Sequence, residues 1–259
     1  MRTTTDIIYS LLAQANHALT AGNAHNIHSP YVFNLYTKVI NESGHYYCFD
    51  EIEKLRRTLH TAHVPIQVHD YGTGHNRTQK LSTLVKRAAK PALQAQLLFR
   101  LVNYLQPKTI LELGTHVGIS SCYMASACQA ATLHTIEGSP KISEVAQLNF
   151  KRLALTNVVP HIGTFDAVLP TLLQELTTID IAYIDGNHAY APTLQYYQWL
   201  QPRTTVIIMD DIHWSKDMNK AWREIVADSN IKIAIDLFHF GILIFRPETK
   251  YSEEYALKF

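Results

Sequence analysis

Two short stretches hold acids and imidazoles that could do chemistry together. "YIDGNHAY" carries Asp185 and His188, and "MDDIHW" carries Asp210, Asp211 and His213. Each follows an apolar, β-branched run, so its first acid stands where a strand would end. Three carboxylates in one neighbourhood repel one another and raise each other's pKa unless a cation joins them. Oxygen ligands from a few carboxylates, with water completing the shell, suit Mg²⁺ or Mn²⁺. A metal lowers the pKa of a bound hydroxyl and a nearby imidazole takes its proton, so His188 is the first candidate base and His213 the second. The chain has 14 histidines, most of which must be structural. The acids could equally cap helices or hydrogen-bond an amine.

Two other stretches have the glycine spacing that lets backbone approach a nucleoside. "VHDYGTGHNR", residues 68–77, reads Asp-x-Gly-x-Gly, and "ILELGTHVGISS", residues 110–121, reads Glu-x-Gly-x-x-x-Gly. Such a ligand also needs a carboxylate at the end of the following strand to accept its ribose hydroxyls. The second stretch meets that need, because the next run, "TLHTI", ends in Glu137. Its candidates are Glu112, Gly114, Thr115, Gly118 and Ser120, followed by Glu137 and Gly138. The spelling differs from the dinucleotide Gly-x-Gly-x-x-Gly, which argues against a bound pyrophosphate. The first stretch fails: no Asp or Glu occurs between Tyr71 and Leu111, where Arg77, Lys80, Lys86, Arg87, Lys90, Arg100 and Lys108 all lie. Gly72 and Gly74 then read as a flexible turn leading to a basic helix, with Asp70, His75 and Arg77 as lid or acceptor contacts.

The elements that must position these residues follow from periodicity. β-branched runs at 109–113, 132–136, 158–162, 179–184 and 205–209 alternate with helical stretches, among them 140–153 with Ser139 as its cap. That alternation predicts βαβ units and a doubly wound, mainly parallel sheet with ligands at the carboxyl ends of its strands. "IKIAIDLFHFGILIF" then holds two strands, near 231–237 and 241–245, with no room for a crossover helix, so they must form an antiparallel hairpin. The first ninety residues read as helical. Ile7, Ile8, Leu11 and Leu12 recur at helical spacing, as do Val32, Phe33, Tyr36, Val39 and Ile40. In "HSPYVF", Ser29 caps a helix that Pro30 opens, and a third helix covers 49–61. The expected division is a helical extension over 1–90 and a ligand-binding domain over 91–259.

The 259 residues, 47% hydrophobic and 17% charged, suit one large domain or a domain with an appended module. A net charge of +1 gives no global reason to expect nucleic acid or an acidic membrane as partner. Cys48, Cys122 and Cys128 show no metal spacing and read as buried thiols in a reducing, cytoplasmic setting. No apolar run approaches the roughly 18 residues of a membrane span.

With these motifs in order, residues 107–246 resemble a class I S-adenosylmethionine-dependent O-methyltransferase through "ELGTHVG", "IEGSP", "YIDGNHAY" and "MDDIHW". The resemblance implies a seven-stranded Rossmann-like sheet ending in an antiparallel hairpin, S-adenosylmethionine as cofactor and a small-molecule hydroxyl as methyl acceptor. Its nearest form is the metal-dependent kind that includes catechol and macrolide-sugar O-methyltransferases. There an Asp after the fourth strand and an Asp-Asn or Asp-Asp pair after the fifth hold Mg²⁺, positions matched by Asp185, Asp210 and Asp211. Catechol-type members have a Lys three residues after the first metal Asp. His188 stands there instead, as it can in sugar-modifying members, which favours an aliphatic hydroxyl. "GTFDAVLPTL" resembles the segment that meets the adenine, making Phe165 and Asp166 candidates beside a plain reading as core aromatic and helix cap. In related enzymes a helical extension covers the acceptor pocket or makes a homodimer contact. Two other readings fit the same residues: a metal-free methyltransferase of nitrogen or of RNA or protein, and a non-catalytic binding module.

Overall fold

A computed structural model describes residues 3–70, 75–245 and 251–259. Its contacts gather the chain into two compact units, Met1–Glu42 with Thr178–Phe259, and Ser43–Thr177. The expected boundary at residue 90 coincides with neither, because the first helices pack with the end of the chain.

The Ser43–Thr177 unit contains α3 (Phe49–Thr61), β1 (Pro65–Asp70), β2 (His75–Lys80), α4 (Leu81–Ala88), α5 (Ala92–Leu105), β3 (Thr109–Leu113), α6 (Ile119–Ala127), β4 (Thr132–Glu137), α7 (Pro140–Arg152), β5 (Val158–Ile162) and α8 (Phe165–Glu175). β3, β4 and β5 pair in parallel in that order. β3 is buried along nearly its whole length, as a strand covered on both faces must be. Aromatic side chains hold the helices on it: Phe49 meets Phe99 at 5.0 Å and Tyr123 at 5.3 Å between ring centres.

The N-terminal helical reading fails at 65–80. β1 and β2 form an antiparallel hairpin in which Asp70 is opposite His75. "PIQVH" is short, but Ile66 and Val68 alternate with polar residues and are buried, and that alternation places it on this core. Gly72 and Gly74, read as a flexible turn, lie outside the described residues, as do the side chains of Asp70, His75 and Arg77.

The other unit contains α1 (Thr4–Thr20), α2 (Pro30–Leu35), β6 (Ile179–Ile184), α9 (Tyr190–Leu200), β7 (Thr204–Asp210), α10 (Lys216–Val226), β8 (Ile233–Asp236), β9 (Phe240–Ile244) and β10 (Glu253–Ala256). Its strands run in the order β10-β8-β9-β7-β6. β6 and β7 are parallel, while β9 is antiparallel to both β7 and β8, as the short "LFHF" connection requires. The main sheet therefore has eight strands rather than seven. The extra one, β10, pairs in parallel with β8 and carries a poor strand signal, since "EEYA" is short and glutamates are depleted in strands. Its edge is tied to the start of the chain: Gly22 N–H donates to the Ala256 carbonyl at 2.8 Å, and Lys258 N–H donates to that of Gly22 at 3.0 Å. Among the described residues no helix is long and apolar enough to cross a membrane.

Candidate active site

The candidate site residues fall in both units. In the Ser43–Thr177 unit, β3 ends in Leu113 and the chain turns through Gly114 (φ +110°), His116 (φ +49°) and Gly118 (φ +80°) into α6. The positive φ values explain both glycines, and Gly118 has a second constraint: a Cβ there would lie 2.6 Å from the Phe150 ring. Three residues expected at the ligand also brace this loop. Glu112, fully buried, accepts from the hydroxyls of Ser120 at 2.5 Å, Thr135 at 2.6 Å and Ser121. Thr115 shares a 2.5 Å hydrogen bond with Thr135. A buried carboxylate costs little when hydroxyls satisfy it, so this hub fixes where the loop's backbone points.

Glu137 ends β4. One of its carboxylate oxygens accepts from His116 N–H at 2.8 Å and the other from Ser139 N–H at 2.9 Å. A carboxylate has about four lone-pair sites, so this grip fixes the group and still leaves acceptor capacity for a ligand hydroxyl. Burial raises the Glu137 pKa, opposed by the N–H groups of Ser139, His116 and Gly138. Such an acceptor fits the donating hydroxyls of a ribose. Phe165 opens α8 half-buried and Asp166 is exposed in its first turn. The cap role belongs to Thr164, which accepts from Ala167 N–H at 3.3 Å.

In the other unit the ends of β6 and β7 bring Asp185, His188 and Asp210 together, each with a ligand atom within 4.8 Å of the others'. Asp210 is only 1% exposed, while Asp185 and His188 are half-buried. Tyr183, two residues before Asp185, donates to its carboxylate at 2.9 Å. His188 Nε2 stands 3.8 Å from the other Asp185 oxygen, and its ring centre lies 6.4 Å from that of Trp214. Two carboxylates and an imidazole, with room in the shell for water, fit Mg²⁺ or Mn²⁺, the imidazole being the more at home on Mn²⁺. Asp211 does not join this group; it takes a left-handed backbone (φ +54°) and donates its N–H to the His239 carbonyl at 2.7 Å. His213, the second candidate base, is engaged at both nitrogens, by Asp236 at 2.7 Å and Asn219 at 3.0 Å. No lone pair remains there for a substrate proton.

Sequence reasoning missed the N–H groups of His116 and Ser139, which contribute backbone and not side chain. It also missed Tyr183, although two-residue spacing puts Tyr183 and Asp185 on one face of a strand.

Comparison with known proteins gives similarities over the same stretch of chain. Residues 111–212 match the family model described as a methyltransferase domain. This segment is similar to a methyltransferase domain. It runs from the glycine loop to the acids after β7. A catechol O-methyltransferase from Niastella koreensis is 36% identical over 125 residues, which cover 46% of this chain and 56% of that protein. Another from Mycobacterium tuberculosis is 31% identical over 131 residues, covering 49% and 58%. The chain thus spans little more than half the length of the curated relatives it matches. Among solved structures, the Bacillus cereus O-methyltransferase in complex with SAH has a TM-score of 0.56 at 17% identity, covering 78% of this chain and 92% of that one. TomG from Streptomyces achromogenes, an O-methyltransferase of tomaymycin synthesis in complex with SAM, gives 0.57 at 16%, covering 94% and 99%. Those likenesses are of fold alone: the mostly parallel sheet with its antiparallel C-terminal strands matches the Rossmann-like fold of these class I methyltransferases.

Proposed function

We propose that the protein transfers a methyl group from S-adenosylmethionine to a hydroxyl of a small molecule, with help from a divalent cation. The observation that carries this reading is the convergence of Asp185, His188 and Asp210 at the ends of two adjacent strands of a methyltransferase domain. When bound, S-adenosylmethionine supplies an electrophilic methyl, and the cation lowers the pKa of the acceptor hydroxyl. In this reading Glu137 would grip the ribose while the backbone at Gly114 and Gly118 makes room for the cofactor, and Phe165 and Asp166 would meet the adenine. Asp185 and Asp210 hold the cation. His188 accepts the acceptor's proton, and the neighbouring Asp185 carboxylate favours the resulting imidazolium.

Calorimetry with S-adenosylmethionine, with and without Mn²⁺, tests the core of this reading; an intact protein that takes up no cofactor overturns it. Asp210→Ala is expected to abolish metal-dependent turnover and leave cofactor affinity unchanged. His188→Ala separates two roles for the imidazole: as base its loss lowers kcat with cation affinity kept, whereas as ligand its loss weakens the cation too. An acceptor panel should include catechols, on the relatives' names, and sugar-type aliphatic hydroxyls, on the presence of His188. Within the basic stretch Lys90 and Arg100 are buried and contribute nothing to a surface for phosphates, whereas Lys80, Lys86, Arg87 and Lys108 are exposed.

A further inference from the structure

Beside the acid cluster, a second group of polar side chains converges in the same unit without taking part in the chemistry above. Asp236, at the end of β8, is 7% exposed. Its carboxylate accepts from His213 Nε2 at 2.7 Å and from Phe238 N–H at 2.7 Å. His17 of α1 reaches the same residue, with Nε2 at 3.2 Å from the Asp236 carbonyl and 3.4 Å from its carboxylate. Phe238 is held at φ +69°, a conformation costly for an aromatic residue. Its ring stacks on His213 at 5.1 Å with planes 7° apart, and the His17 ring lies 5.7 Å away. α1 has no buried residue, so His17 is its polar tether to this group.

The group acts on the turn that leaves Asp210. Asp211 is left-handed and donates to the carbonyl of His239, which follows Phe238. Trp214 N–H closes the turn on the Asp211 carbonyl at 2.8 Å. His213 is fixed between Asp236 and Asn219. Two adjoining turns, 211–214 and 237–239, thus hold unfavourable backbone conformations with one carboxylate between them. Such conformations persist only where their surroundings over-determine them.

We propose that Asp236 is a positioning residue. Gripping His213, the Phe238 N–H and His17, it locks the 211–214 turn and so fixes Asp210 for the cation and Trp214 against His188, with α1 as part of the lock. The inference rests on the cation reading of Asp185, His188 and Asp210. Residues that orient metal ligands from outside the coordination shell are commonly worth about 10–100-fold in metal affinity.

The test uses the intact chain with Asp236→Asn, and His17→Gln as the milder variant should the first fail to fold. Mn²⁺ affinity is read by calorimetry, S-adenosylmethionine affinity in parallel, and amide exchange at 211–214 by mass spectrometry. The expected result is Mn²⁺ affinity lowered about tenfold or more, faster exchange at 211–214 and unchanged cofactor affinity. Unaltered Mn²⁺ affinity and exchange in a folded variant overturn the proposal. An equal loss of cofactor affinity also overturns it, since that marks a general structural role. If the wild-type protein binds no Mn²⁺, the cation reading is what fails. The lock is then judged on exchange alone, and unchanged protection at 211–214 refutes it.

Discussion

Glu137 and Glu112 are both acids at the carboxyl ends of neighbouring strands, yet their surroundings separate their tasks. Hydroxyls of the fold hold Glu112, whereas backbone N–H groups hold Glu137 and leave acceptor capacity for a ligand. Glu137→Gln should therefore weaken S-adenosylmethionine binding by about tenfold or more, the worth of a hydrogen bond to a charged acceptor. Calorimetry should show that loss with Mn²⁺ affinity intact. Gly118→Ala should cost about 2 kcal/mol or more of stability, because it adds a strained φ and a clash with Phe150; urea unfolding measures it. The glycines and Glu137 were legible in the sequence because each answers a local need, a turn or a strand end. The identity of the third member of the acid cluster was not. Asp210 and Asp211 are adjacent letters, and only the left-handed turn at Asp211 separates their fates.

At the scale of elements, alternating strand and helix from β3 onward could be read directly, as could the β8–β9 hairpin, whose short connection admits nothing else. α3 matches the expected 49–61. The β1–β2 hairpin was harder to see: β2, "HNRTQK", is polar, and its pairing depends on a partner strand more than on its own pattern. β10 was missed for the same reason. The hairpin's packing explains Gly241 on β9, where a Cβ would lie 2.4 Å from the Trp222 ring of α10. Gly241→Ala should lower stability by about 1–3 kcal/mol through overpacking. A fall in the thermal midpoint checks this, and Trp222 fluorescence should shift with it.

On the scale of the whole molecule, a charged group, Asp236, is among the contacts that join the start of the chain to its last strands, and stability should depend on pH there. The Asp236 pKa is lowered well below its ordinary 3.8: burial opposes the shift, but the hydrogen bonds from His17 and His213 outweigh it. The His17 pKa is raised above its ordinary 6.5, chiefly by the bond to Asp236. A lowered carboxylate contributes stability that is present above about 3.8 and lost as pH falls through the folded value. A raised histidine contributes stability that is full below about 6.5 and lost as pH rises through its folded value. The pair should therefore stabilise most between roughly pH 4 and 6. His17→Gln should flatten the decline on the alkaline side, measured as unfolding free energy against pH; an unchanged slope would exclude His17 as its source. By itself the sequence determined the doubly wound sheet, the glycine loop with its Glu137, and the acids that end β6 and β7, because periodicity and strand-end chemistry are local. Only the tertiary structure decided that Glu112 braces the glycine loop, that His188 stands in place of Asp211 beside the other acids, and that His17 reaches Asp236. Those outcomes depend on which residues distant in the chain share a hydrogen bond, and no local pattern encodes that.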